Sequence, residues 1–203
     1  MKKILIASTN PGKITEIKIG LKELKNQGIE ILTLNDVIVG EKEPQETGAT
    51  FQDNAFIKAK FYADETQLPV ISDDGGLVIP YLNNEPGVKS RRWLGYDASD
   101  QELVNYTLKR LHGVKLFDRK AYLEACLCFY NPQTNDTVFE SEKILGSITE
   151  TTTLKIIPGF PYRAILIVDK FKKYYDELTE EEHHQINHRL IALKRLVNKI
   201  SNF

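Results

Sequence analysis

Apolar and polar positions follow two periods along this chain, and the switch between them marks its elements. The apolar run 4–7 predicts a buried strand over 3–8. Ile14, Ile17, Leu21 and Leu24 then recur at spacings of 3, 4 and 3, one stripe of a helix. Pro11 suits the first turn of that helix, where a missing N–H costs nothing. IEILTL (29–34) reads as a second strand. The polar loop GEKEPQETGAT leads into a helix over 51–65 with Thr50 as its N-cap. LPVIS (68–72) is a short buried strand that ends at Asp73-Asp74-Gly75-Gly76, and GLVIPYL then resumes extended structure. DASDQELVNYTLKRLHG is a helix capped by Ser99 or Asp100 and stopped by Gly113. Strands near 120–130 and 137–147 flank a hairpin turn, NPQTND, and AILIVDKF (164–171) is one more buried strand. Thr179 and Glu182 make a capping box at the head of one long C-terminal helix. There is no repeat and no linker, so the 203 residues are expected to form one α/β domain, with room for two lobes.

Composition changes this picture little. Hydrophobic residues are 41% and charged residues 27%, the balance of a soluble globular protein. A net charge of −1 excludes general adhesion to nucleic acid or anionic membrane, so a polyanionic ligand must be met by local positive charge. The two cysteines, Cys126 and Cys128, fall on one face of a strand, a poor geometry for a mutual disulfide; buried reduced thiols are expected. The first apolar run is too short for a signal peptide, and no stretch reaches the ~20 apolar residues of a membrane span. A cytoplasmic location is expected.

Two stretches carry candidate chemistry. ILIASTNPGK (4–13) is a strand followed by a loop and a helix start, and the first N–H groups of a helix sit at the positive end of its dipole and bind phosphate. Thr9 and Asn10 add donors, Gly12 lets the backbone approach, and Lys13 adds a charge. The Walker A pattern is not met, since Ile14 follows the lysine. Read alone, the stretch is equally an ordinary turn with a surface lysine. Asp73 and Asp74 follow a buried strand, at the end where α/β sheets collect ligands. Paired carboxylates without histidine or thiol nearby suit Mg²⁺, with Glu46 as a third acidic contributor. One carboxylate can hold the metal while another deprotonates an attacking water. Read alone, DDGG is a solvated turn.

Five stretches in order, STNPGKITEI (8–17), ETGATFQDNAFIKAK (46–60), SDDGGLVI (72–79), EPGVKSRRW (85–93) and NHRLIAL (187–193), resemble the inosine triphosphate pyrophosphatases, house-cleaning nucleoside-triphosphate pyrophosphatases. The resemblance implies an elongated central mixed β-sheet flanked by helices, two lobes around a nucleotide-binding cleft, and a homodimer. It implies Mg²⁺-dependent cleavage of ITP, dITP and XTP to monophosphate and pyrophosphate. Carried across, Ser8, Thr9, Asn10, Pro11, Gly12 and Lys13 hold the triphosphate, and Asp74 takes the metal-binding and general-base position with Asp73 beside it. Asn54 and Lys58 share a helix face toward the cleft. Phe160, Tyr162, His188 and Arg189 lie at base-recognition positions, where arginine offers paired donors to a 6-oxo group.

The chain departs from the family pattern at three places. Gly75 stands where Ser or Thr is usual. GFPYRAIL puts Pro161 and Arg163 where the family has glycine and aspartate, and EEEHHQINHR puts His183 where it has lysine and Asn187 where it has serine. These changes predict a rewired nucleobase preference with the triphosphate chemistry kept. Alternatives are the same chemistry on a different modified nucleotide, or a non-catalytic nucleotide-binding dimer. His184 and His188, four apart, lack a further ligand at a known metal spacing. Arg91 and Arg92 suit phosphate, a dimer partner or surface ion pairs, and Trp93 suits an interface or core.

Overall fold

The computed structural model describes residues 2–40, 43–153 and 156–200. Glu41 and Lys42, in the expected polar loop, lie outside the described residues. In chain order the regular elements are β1 (Lys3–Ala7), α1 (Pro11–Gly20), α2 (Lys22–Asn26), β2 (Glu30–Thr33), α3 (Phe51–Thr66), β3 (Val70–Ile79), β4 (Glu85–Pro86) and α4 (Asp100–Arg110). They continue with β5 (Lys120–Asn131), β6 (Asp136–Ile148), β7 (Leu166–Val168), β8 (Lys173–Tyr174), α5 (Glu180–Ile186) and α6 (His188–Ile200). The strands form an eight-stranded sheet of order β2-β1-β3-β5-β6-β7-β8, with β4 paired to β3. It is mixed: β1 runs parallel to both β2 and β3, while β3–β4, β6–β7 and β7–β8 are antiparallel.

The chain divides into two compact units, one of residues 1–74, 125–142 and 188–203, the other of residues 75–124 and 143–187. In the first, alternation along the strands sends successive side chains to opposite faces. Ile4 and Ile6 of β1, Ile71 of β3 and Phe129 of β5 pack with Ile17 and Leu21 and with Leu193, Leu196 and Ile200 of α6. Leu5, Ala7, Val70, Cys128 and Tyr130 pack instead with Ala55, Ala59 and Ala63 of α3. So α1 and α6 cover one face and α3 the other. The α1–α6 approach is close enough that a Cβ on Gly20 would overlap the Leu193 side chain. In the second unit, Leu77, Ile79, Leu103, Val104, Leu111, Ile144, Ile148, Ile165 and Leu166 make the core.

The helix starts follow the caps. Thr50, Ser99 and Thr179 each accept from the third helical N–H and receive the reciprocal carboxylate of Asp53, Glu102 and Glu182. Both cysteines are buried and neither is in a disulfide. Four expectations are corrected. The stripe 14–24 is broken at Leu21 into α1 and α2. The Asp73-Asp74 pair lies inside β3, not in a turn after it. Residues 161–165 form a 3-10 turn, which leaves only a three-residue strand of the expected 164–171. The long C-terminal helix is two, α5 and α6, because Asn187 leaves helical geometry (ψ 103°). No helix among the described residues is long and apolar enough to cross a membrane.

Candidate active site

Asp73 and Asp74 are neighbours on a strand, so they project to opposite faces of the sheet. Asp73 falls on the α1–α6 side. Its Oδ1 accepts from Arg189 Nε at 3.1 Å, and its Oδ2 lies 2.8 Å from Lys13 Nζ. Arg189 is itself buried and reaches Glu16 of α1 through Nη1. Burial pushes the Asp73 carboxyl up, but the Arg189 and then the Lys13 charge more than offset it, holding it well below the usual range. Burial likewise pulls the Arg189 guanidinium down, while Asp73 and Glu16 outweigh that and keep it charged. Asp73 thus favours its ionised form, with a cation facing each of its oxygens.

Asp74 behaves oppositely. It is 8% exposed, and its Oδ2 is buried with no hydrogen-bond partner among the described residues. Burial raises its carboxyl; Lys13 and Lys58 pull the other way without reversing it, and Glu46 and Asp73 add to the rise. Lys58 rises from α3 to donate to the Asp73 carbonyl at 3.1 Å and pairs with Glu46 at 2.5 Å. Burial alone would strip its proton, but Glu46 and then Asp74 hold the ammonium. Two adjacent carboxyls are therefore driven apart, one held low by its cations and one raised by burial.

The loop after β1 is held by its own side chains. Asn10 caps α1, its Oδ1 accepting from Gly12 N at 2.9 Å and Lys13 N at 3.2 Å. Ser8 Oγ accepts from Asn10 N, Thr9 is exposed, and Pro11 takes the first helical position. The two N–H groups expected to meet phosphate are thus occupied by Asn10. Asn54 was expected to face the cleft with Lys58; it is 1% exposed and accepts from Gly48 N at 2.7 Å. That bond ties down the loop that carries Glu46. A Cβ on Gly48 would lie 2.7 Å from Asn54 Oδ1 and 2.5 Å from Asp53 Cβ, so loop or helix must shift. Gly48→Ala is expected to cost about 1–3 kcal/mol of stability through this overpacking and to lower activity further than stability explains, checked by thermal melts beside a nucleotide hydrolysis assay.

Among the residues expected to hold Mg²⁺, Asp74 fits, because a buried carboxylate oxygen without a partner is what a cation relieves. Asp73 does not, since both its oxygens face cations, and Glu46 is engaged by Lys58. Among the described residues no group of three His, Cys, Asp or Glu is gathered for a metal, His184 and His188 included. Arg189, expected to read the base, turns its Nε and Nη1 to carboxylates instead. Glu16 was missed by the sequence reading; it stands three positions after Lys13, beside the apolar stripe, which was the available signal.

The remaining expected residues belong to the second unit. Gly75 is in β3, half-buried, and Arg91 pairs with Asp97 and Asp100 on the surface. Trp93 packs edge-on to Tyr106. Tyr162 is buried and donates to the Ser90 carbonyl at 2.6 Å. The Arg163 guanidinium lies 3.6 Å from the Phe160 ring centre and 4.5 Å from that of Tyr175. One face of Phe160, expected to stack on a base, is therefore covered from within. His183 Nε2 is 3.1 Å from the Tyr175 hydroxyl. Asp176 was missed. Both its oxygens are buried without hydrogen-bond partners among the described residues, and burial, opposed only in part by Arg163, pushes its carboxyl up to about 6. A folded-state value above the ordinary one of 3.8 means stability is full at low pH and is lost as pH rises through about 6. Asp176→Asn is therefore expected to gain on the wild type between pH 4 and pH 8, by on the order of 1–2 kcal/mol in denaturant melts, after discounting for partial solvent access.

The Ham1 family model matches residues 4–199. A dITP/XTP pyrophosphatase of Wigglesworthia glossinidia brevipalpis is 38% identical over 203 residues, covering 100% of this chain and 98% of its own. One from Thermoanaerobacter pseudethanolicus is 37% identical, covering 98% and 96%. Among solved structures, a HAM1 protein from Coxiella burnetii superposes with a TM-score of 0.85 at 31% identity, covering 100% of both chains. The Staphylococcus aureus Ham1 protein gives 0.83 at 30% identity, covering 98% of both.

Proposed function

Because the chain belongs to the Ham1 family, and is thereby a hydrolase of nucleoside triphosphate anhydrides, we propose that it cleaves the deaminated purine nucleotides ITP, dITP and XTP to monophosphate and pyrophosphate. The observation that carries this reading is Asp74: a buried carboxyl with one oxygen lacking a partner among the described residues, its proton affinity raised by burial against the pull of the Lys13 and Lys58 charges. In the reaction Asp74 takes the proton of the attacking water. Lys13 and Lys58 bring positive charge to phosphate oxygens, and Asp73 keeps Lys13 in place. Asn10 gives up Gly12 N and Lys13 N to phosphate, the helix start then binding the anion it favours. Mg²⁺, held by Asp74 together with the substrate's own phosphate oxygens, would offset the charge on the leaving pyrophosphate. The same reading carries the expectation of a cytoplasmic homodimer.

The experiment is pyrophosphate release across ITP, dITP, XTP, GTP, ATP, dUTP and CTP, with Mg²⁺ and with EDTA. Strong release from the first three, lost in EDTA, is the expected result. Release from some other base would keep the chemistry and change the substrate, the second reading, which the covered face of Phe160 favours. No release from any of them would leave a nucleotide-binding protein.

A further inference from the structure

We propose that Arg163 is a positioning residue for base recognition: its guanidinium is a wedge that fixes the Phe160 and Tyr175 rings and, through the Tyr175 hydroxyl, the His183 imidazole. This rests on the reading that Phe160 and His183 meet the base. Arg163 stands where the family has aspartate, among the positions expected to bind substrate, yet it is 6% exposed and stands over two aromatic rings, at 3.6 Å and 4.5 Å. A planar cation over a ring face is held by the ring's quadrupole, most strongly where water is excluded. The wedge joins the two short segments that flank the antiparallel β7–β8 pair, and so adds a side-chain clamp to the register which that pairing sets. Phe160 and Arg163 flank and occupy the 3-10 turn Pro161–Ile165, and Tyr175 opens a second 3-10 turn, Tyr175–Glu177, packed against the first.

The Asp176 carboxyl, next to Tyr175 in the chain, feels the Arg163 charge without a hydrogen bond to it among the described residues. From Tyr175 the arrangement reaches α5. The phenol oxygen is 3.1 Å from His183 Nε2, and the two rings meet edge to face, 5.3 Å apart at 83°. Asn187, the residue that ends α5, places its side-chain nitrogen 3.4 Å from the same imidazole nitrogen. His183 is therefore oriented from two sides, and one of them depends on where Arg163 holds Tyr175. A lysine at 163 would keep the charge but lose the plane that lies on both rings.

The test uses the whole protein with Arg163→Met and Arg163→Lys, reading KM and kcat for ITP and, separately, the His183 ring proton resonance by NMR. The expected result for Arg163→Met is a KM about tenfold higher with kcat kept within about twofold, and a displaced His183 resonance; Arg163→Lys gives the same split more weakly. A wild-type KM in both variants, an equal loss in kcat, or an unmoved His183 resonance would overturn the proposal while leaving the hydrolase reading intact. A wild-type protein inactive on every nucleotide would overturn the hydrolase reading, and the His183 resonance would then decide on the wedge alone.

Discussion

Asp74→Asn is expected to lower kcat for pyrophosphate release by about 10²–10⁴-fold, the usual worth of a positioned general base, with the melting temperature unchanged or higher. Asparagine keeps the shape of the side chain but removes its capacity to take a proton and the charge that would hold Mg²⁺. The stability side follows from the raised carboxyl: a group that burial disfavours in its charged form gives the fold nothing at neutral pH that asparagine would forfeit. Activity and stability are thereby expected to separate, which distinguishes a catalytic role from a structural one. A loss of less than about threefold, against the range expected for a base, would show that another group takes the proton.

The second large effect is expected at Arg189. Removing its guanidinium as Arg189→Met leaves two buried carboxylates, Asp73 and Glu16, without the cation between them. Breaking one side of such a buried pair costs about 3–5 kcal/mol, or on the order of 10 °C in a chain of this size. The pH dependence has a definite sign. The Asp73 carboxyl is held low in the fold, so its contribution is present above the ordinary carboxylate range and is lost as pH falls toward the folded value. The difference in denaturant midpoint between Arg189→Met and wild type should therefore narrow on acidification below about pH 4. Arg189→Met,Asp73→Asn should recover part of the loss; no recovery would place the cost in packing instead.

Much of this was legible in the sequence because local chemistry agreed with the fold. Thr50, Ser99 and Thr179 each stand three residues before a carboxylate, and each caps a helix as that spacing requires. The strand-loop-helix at 3–13 also forms as its pattern says. What failed was decided by partners distant in the chain. Asp73 and Asp74 look like a turn because charges disfavour a strand interior, yet Lys13, Arg189 and Lys58 let the pair lie inside β3. The run 164–171 is apolar and short, which fits a buried turn as well as a strand. Asn187 breaks a helix whose stripe continues past it, because it is wholly buried and its side chain faces His183. The base-side roles were the least legible. Arg189 was assigned to the base by its donors, which it turns to carboxylates of the protein itself, and Arg163, noted as a replacement for aspartate, lays its flat face on the Phe160 ring.

The anchoring of Asp73 ties the appearance of activity to the order of synthesis. Lys13 and Glu16 are made before Asp73, but Arg189, the cation between Asp73 and Glu16, follows Asp73 by 116 residues. A nascent chain stopped short of α6 holds every residue proposed to touch phosphate and still leaves Asp73 without its main counter-charge, free to draw Lys13 away or to take a proton. Such a chain, or one clipped ahead of residue 188, has the parts of a hydrolase without their alignment.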